Sequence, residues 1–391
     1  MLAGGGATKP LRLYRGESCI ICLMSARQDA LRLTGLTRAD VKAPQAVKPA
    51  QKPHQADLPA VCSIGGGDTV VGARDNSDQL TQEPVFLVGS ERSGTTMLRL
   101  MLDHNPEVAF NQESEFFVTC VSDSGEFPKL DAYRKFLLED RVFRHTGFTI
   151  DENLGFRALL NDFLRQKRDR DNKRIVGATV HYQFRKLGYV WPRARYIYLF
   201  RDGRDVASSV VQMGWAGNEY VAADTWLSAE AEWSGLRHTL KPADWIEVRY
   251  EELTADPRAE LRRICDFMGV AYSERMFDYV NTSTYSWPDP GNNYKWRRTT
   301  SRKKLQLLEA RIGSRLRERG YELSSEEIVL PSRARDAWLK LHSRLCTLRF
   351  RIANFGLGLV LVETLSRRLG WAGMHRAAQR AIDRIVDQNL K

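Results

Sequence analysis

A short apolar run, Pro84-Val-Phe-Leu-Val-Gly89, passes directly into Ser90-Glu-Arg-Ser-Gly94-Thr-Thr96, and Leu98, Met101 and Leu102 then follow at helical spacing. A buried strand, a glycine-bearing turn and a helix in that order leave few folds open. Glycines let the backbone curl, so that successive amides and the helix N-terminus converge on an anion. The two glycines have the spacing of a Walker loop, GxxxxGK[ST], but Thr95 stands where that motif needs lysine. Without the ammonium, the β and γ groups of a triphosphate lose their main charge partner. The loop then suits a smaller anion, a phosphate or a phosphosulfate. Arg92 supplies positive charge within the loop, while Ser93, Thr95 and Thr96 supply hydroxyls. A plain Gly-Ser turn is the alternative.

Further strands are expected at 174–177, 196–200 and 245–250. Helices are expected over 131–138, 156–167, 206–213, 224–240 and 259–269. Strands alternating with helices describe an α/β fold, a parallel sheet covered on both faces, which binds ligands at the carboxyl ends of its strands. The chain divides into an extension over 1–82, a catalytic domain over 83–325 and a basic helical tail over 326–391. The extension is rich in Gly, Ala, Pro, Gln and Asp and is read as flexible, with one short helix near 26–37.

Charge follows the same division. The chain carries 59 Lys and Arg against 48 Asp and Glu. Residues 1–82 hold 10 against 7 and residues 331–391 hold 12 against 4, which leaves 37 of each sign between them. A neutral middle argues against a nucleic-acid-binding core, and basic ends suit an acidic partner or a membrane surface. Cys19 and Cys22 have redox or metal spacing, but no second pair follows, so no metal site is expected. The longest uncharged apolar stretch, 352–362, is too short to span a bilayer. With no signal peptide discerned, a cytoplasmic enzyme with peripheral membrane contact is expected.

In the tail, Trp338, Leu341, Leu345, Leu348, Ile352, Phe355, Leu359 and Val362 alternate spacings of three and four, a seam on one long helix. Packing on the chain's own domain, homodimerisation, and lying in a membrane interface beside Arg344, Arg349 and Arg351 all remain open.

The run from Gly89 to Thr96, continued by Leu102-Asp-His-Asn-Pro-Glu-Val108, resembles the 5′-phosphosulfate loop of the PAPS-dependent sulfotransferases. It is most similar to the branch of protein-tyrosine sulfotransferases and their bacterial relatives, whose fold is a P-loop-like parallel sheet flanked by helices. A second run, Tyr196-Ile-Tyr-Leu-Phe-Arg201-Asp-Gly-Arg-Asp-Val-Ala-Ser-Ser209, resembles the family's 3′-phosphate motif, in which an arginine and a serine eight positions later grip the phosphate. Arg201 and Ser209 match that pattern; Arg204 and Asp205 in the same turn read equally as an exposed pair. The segment beginning Arg249-Tyr250-Glu-Glu-Leu resembles the family's "YEDL" region, which implies Tyr250 near the nucleotide. Lys295-Trp296, followed by a charged helix and Gly320-Tyr321, resembles its C-terminal "KW…GY" region. That likeness implies Lys295 at the 5′ phosphate and Trp296 beside adenine, against ordinary surface or core roles.

The resemblance implies sulfuryl transfer from PAPS to a hydroxyl or amine, with PAP released and no metal required. Glu113 matches the base of the tyrosine-specific branch, with Glu115 as backup. Many relatives carry a lysine a few residues after the glycine equivalent to Gly177. This chain reads Gly177-Ala-Thr-Val-His181, so either His181 substitutes or Arg92 and Lys295 carry the charge alone. His181 as an ordinary core or surface histidine fits equally. The acceptor, a small-molecule, carbohydrate or protein hydroxyl, is not legible. Trp215, Tyr220, Trp226, Trp233 and Trp287 either line its pocket or simply pack. Two other functions stay open: a catalytically weak nucleotide-binding protein acting through its tail, and a P-loop kinase.

Overall fold

The computed structural model of the protein describes residues 83–324 and 330–390. The expectations placed on residues 1–82, the Cys19/Cys22 pair and the short helix among them, lie outside the described residues. Five strands form one parallel sheet: β1 (Val85–Val88), β2 (Val108–Glu113), β3 (Ile175–Val180), β4 (Arg195–Phe200) and β5 (Trp245–Arg249). Their spatial order is β2-β3-β1-β4-β5, which puts β1 and its phosphate loop in the middle. In β1 the side chains alternate between two cores, Val85 and Leu87 on one face and Phe86 and Val88 on the other. All four are fully buried, as a strand with both faces covered requires.

Helix α1 (Thr95–Asp103) and α8 (Pro257–Met268) cover the first face. Helices α2 (Leu130–Glu139), α3 (Arg141–Thr146) and α4 (Phe156–Asp171) cover the other, through an aromatic core that includes Phe116, Phe143 and Phe163. Helices α5 (Gly203–Gln212), α6 (Glu219–Arg237) and α9 (Arg302–Glu318) enclose a third core around Trp226, and α7 (Tyr250–Ala255) follows β5 directly.

Strand β2 was not anticipated. Val108, Ala109 and Phe110 are buried, but Asn111-Gln-Glu113 completes the strand with polar residues and resembles a turn in sequence. Its register shifts between Asn111 and Glu113, so that Asn111 faces Ala178 and Glu113 faces Thr179. Such a bulge re-aims the side chain beyond it, and here that side chain is the candidate base.

The tail departs from one long helix. Gly356, at φ 79, separates α10 (Arg333–Phe355) from α11 (Leu357–Leu369), and Gly370, at φ 73, precedes α12 (Ala372–Leu390). Helices α10 and α11 meet at a bend of 119°. Phe355 and Val360 pack on Ile382 and Val386, closing a small core. Helix α12 reaches α3 through Arg141–Asp387 at 3.0 Å and Arg144–Asp383 at 2.9 Å.

Candidate active site

The turn between β1 and α1 is shaped by close approach. Gly94 has φ 94, and a Cβ there would lie 2.5 Å from the Tyr250 ring. Arg92 also adopts a left-handed conformation, at φ 69. Among the described residues no side chain caps the start of α1, so its first amides remain available to an anion. Ser93 Oγ is buried without a hydrogen-bond partner among the described residues. Thr95 Oγ1 bonds His181 Nε2 at 2.9 Å, and Thr96 is tied to Tyr285.

The second motif meets this loop. Arg92 Nε donates to Ser209 Oγ at 2.9 Å, although the two residues are 117 positions apart. Arg201, just beyond β4, lies over the Tyr250 ring at 4.3 Å and donates through Nη2 to the Asn292 carbonyl at 2.7 Å. A weaker contact reaches Asp205 at 3.4 Å, and Arg201 Nε is buried without a hydrogen-bond partner among the described residues. Arg92, Gly94, Arg201, Ser209 and Tyr250 all line one cavity of about 350 Å³. Loop and grip therefore open into the same space.

The acidic segment beside it divides its labour. Glu115 is buried and accepts from the His181 backbone amide at 3.1 Å and from Nδ1 at 3.0 Å. It is committed to the histidine; Glu113, half-buried at the end of β2, lies outside the cavity lining but within electrostatic reach of Arg92, and stays the candidate base. Burial works against charging His181, but the hydrogen bond and charge of Glu115 outweigh it, and the pKa rises to about 9. An imidazolium donates from both nitrogens, so Nδ1 serves Glu115 and Nε2 serves Thr95. The Thr95 hydroxyl hydrogen must then point onward, away from the ring. Thus a cation stands one hydroxyl behind the position where a Walker loop places lysine.

Four contributors were missed in sequence. Arg99, on α1, stands within electrostatic reach of Glu113 and Tyr285, and burial lowers its pKa against their pull. Its place on the outward side of an amphipathic helix was the available signal. Tyr285, Asn292 and Asp289 form a cavity wall from an irregular segment that carries no periodicity. Trp287, named only as one of five aromatic candidates, is the one on that wall, stacked on Phe277 at 4.3 Å.

Other expectations change place. Trp296 is buried, sits 3.8 Å beneath the Arg204 guanidinium and donates to Asp202 Oδ2 at 3.0 Å, so it packs in the core and not on the cavity wall. Lys295 precedes it at the start of a single helical turn, exposed and outside the cavity lining. Arg204 and Asp205 are not an exposed pair. Arg204 is locked to Asp202 at 2.8 Å and Glu309 at 2.6 Å, and Asp205 holds the Trp296 amide at 2.8 Å. Trp226 and Trp233 are core residues, the latter stacked on Tyr198 at 4.5 Å. Trp215 lies 5.9 Å from the Arg92 guanidinium, and Tyr220 bonds Asp336.

Fold and site together give a parallel α/β sheet with a P-loop-like turn and a second basic motif on one cavity. Residues 84–274 match the model of the sulfotransferase family, the family that the motifs resemble. Protein-tyrosine sulfotransferase A of Caenorhabditis elegans is 24% identical over 215 residues, 52% of this chain and 54% of that protein. The chain therefore spans about half the length of that relative. Among solved structures, the sulfotransferase domain of the Synechococcus PCC 7002 olefin synthase is 21% identical with a TM-score of 0.44, over 62% of this chain and 96% of that one. The sulfotransferase domain from the curacin biosynthetic pathway is 18% identical with a TM-score of 0.46, over 62% and 98%.

Proposed function

We propose that the chain is a PAPS-dependent sulfotransferase that moves a sulfuryl group to a hydroxyl or amine acceptor and releases PAP. One observation carries the reading: Arg92 of the phosphate loop bonds Ser209 of the second motif on the wall of a single cavity. Two anion grips that share one space suit a nucleotide phosphorylated at both ends of its ribose. The residues fit such a ligand. Ser93 Oγ and Arg201 Nε are buried polar atoms without partners among the described residues, and such atoms are costly unless something completes them.

Bound there, the donor supplies the sulfuryl group and a phosphate leaving group. Ser93, Thr95 and the first amides of α1 hold the 5′ end, while Arg201 and Ser209 hold the 3′ phosphate. Tyr250 and Trp287 offer ring faces along the wall. Glu113 takes the acceptor proton as the acceptor oxygen bonds sulfur. Arg92, with the His181 imidazolium behind Thr95, stabilises the charge released on the phosphate oxygen. Positioning and fixed charge do most of this work, as in phosphoryl transfer. Small-molecule, carbohydrate and protein hydroxyls are the candidate acceptors, the last in keeping with the name of the C. elegans relative.

Thermal unfolding with PAP, PAPS and ATP is the direct test. A ligand at 100 times its dissociation constant adds about 2.7 kcal/mol. PAP and PAPS should stabilise the protein and ATP should not; stabilisation by ATP alone would favour the kinase reading. Labelled-sulfate transfer to a panel of phenols, sugars, lipids and peptides then identifies the acceptor. Glu113→Gln should bind PAP and transfer nothing. A wild-type chain that binds PAP yet sulfates no member of the panel would be a nucleotide-binding protein.

A further inference from the structure

The tail carries a surface that the transfer reaction does not use. Among the described residues sixteen large apolar side chains are exposed, and eleven of them lie between Trp338 and Met374. Helix α10 has two unlike faces. Its inner face is used: Ser343 Oγ accepts the Gly217 amide hydrogen at 2.9 Å, Asn218 donates to the Leu339 carbonyl, and Phe350 covers Gly214. Its outer face presents Trp338, Leu341, Leu345 and Leu348, each at least 44% exposed. On α11 the residues Leu357, Leu361, Leu365 and Leu369 recur every fourth position and are exposed as well. So large an apolar surface marks an interaction site.

Charge decides what fits it. Arg344 and Arg349 are exposed, and at about 100° per residue they fall on opposite edges of the α10 stripe. Arg368 is exposed between Leu365 and Leu369 on α11. Arg351, by contrast, is taken up by Glu363 at 2.9 Å. The four acids of α10, α11 and α12 are all engaged internally: Asp336 with Lys340, Glu363 with Arg351, Asp383 with Arg144 and Asp387 with Arg141. A second copy packed through these helices would therefore bring arginine against arginine, with none of the helices' own four acids left to answer it. Residues 1–82, with 10 bases against 7 acids, offer no surplus either. A lipid surface of negative charge satisfies both parts, with headgroups for the arginines and acyl chains for the leucines. Trp338 and Trp371, both more than half exposed, are the residue type enriched at that boundary. No single helix among the described residues is long and apolar enough to cross a membrane, and α10 and α11 are bent by 119°.

We propose that α10 and α11 dock the protein flat on an anionic lipid surface, with their leucines in the headgroup–acyl boundary and Arg344, Arg349 and Arg368 on the headgroups. The test is co-sedimentation of the full chain with phosphatidylcholine vesicles, with and without phosphatidylserine, alongside sedimentation velocity without lipid. The full chain should bind the phosphatidylserine vesicles, less as salt rises, and should remain monomeric. Arg344→Gln with Arg349→Gln should weaken vesicle binding roughly 25-fold, at about fivefold per arginine. Leu341→Glu with Leu345→Glu should abolish it, while PAP still stabilises the variant and so reports an intact domain. A dimer that Leu341→Glu dissociates would overturn the proposal. So would a full chain that ignores both kinds of vesicle, or that binds them equally.

Discussion

The His181 site makes a quantitative prediction. Its imidazole is fully inside the protein, clamped between Glu115 and Thr95, and its pKa of about 9 stands above the ordinary 6.5. Below pH 6.5 both the folded and the unfolded imidazoles carry the proton, so the stabilisation is complete. Between 6.5 and 9 the unfolded chain releases its proton while the folded one keeps it, and the advantage shrinks until it is gone above 9. The gap corresponds to about 3 kcal/mol at pH 6, about 2 kcal/mol at pH 7.5 and well under about 1 kcal/mol at pH 9. Urea unfolding of the wild type and of His181→Gln across this range isolates the term, because the other histidines are common to both proteins. The difference between them should fall with pH along that curve. Glu115→Gln, which removes the partner and keeps the ring, should flatten the slope in the same way. PAP affinity should also decline through the window in the wild type and not in His181→Gln, since the loop loses the cation behind Thr95. Wild-type and His181→Gln profiles that run parallel from pH 6 to 9 would refute the argument.

Three further outcomes follow from the cavity. Gly94→Ala places a Cβ at φ 94 and 2.5 Å from the Tyr250 ring; a strain of about 1–3 kcal/mol should appear as lost PAP affinity in calorimetry. Arg201→Lys keeps the charge but loses the fork and the stack on Tyr250; PAP binding should weaken about 10- to 100-fold with little change in unfolding. Trp287→Ala and Trp296→Ala should separate. The first removes a ring from the cavity wall and should cost about 1–3 kcal/mol in PAP binding. The second empties a buried site and should cost about 3–5 kcal/mol in stability, while the folded fraction still binds.

How much of this was legible depends on whether a feature is continuous in the chain. The loop from Gly89 to Thr96 and the run from Tyr196 to Ser209 each hold strand, turn and helix in sequence, so their apolar spacing and glycines suffice to read them. Strand β2 is half polar, and its bulge beside Thr179 exists only once β3 is paired with it. The wall formed by Tyr285, Trp287 and Asn292 is irregular backbone, for which no period exists to detect. Lys295 and Trp296 illustrate a different limit: neighbouring residues on a short helical turn point to different sides, and only packing against Arg204 decides that the indole faces inward. In the tail, the three–four spacing picks out the exposed stripe from Trp338 to Leu348, but Ile352, Phe355 and Leu359 of the same series pack in the tail's own small core beyond the break at Gly356. It does not say that Leu339, Ser343 and Phe350, on the other side, are the residues that meet the domain.

That inversion of α10 ties the tail to the site. The segment it covers, from Gly214 to Gly217, follows directly from Met213, which lines the cavity, and contains Trp215, which lies against Arg92. A Cβ on Gly214 would meet Phe350 at 2.4 Å and one on Gly217 would meet Cys346 at 2.5 Å, so the fit leaves no slack. Arg92 is in turn the side chain that joins the phosphate loop to Ser209. A path of direct contacts thus runs from the inner face of α10 through Trp215 to the guanidinium between the two anion grips.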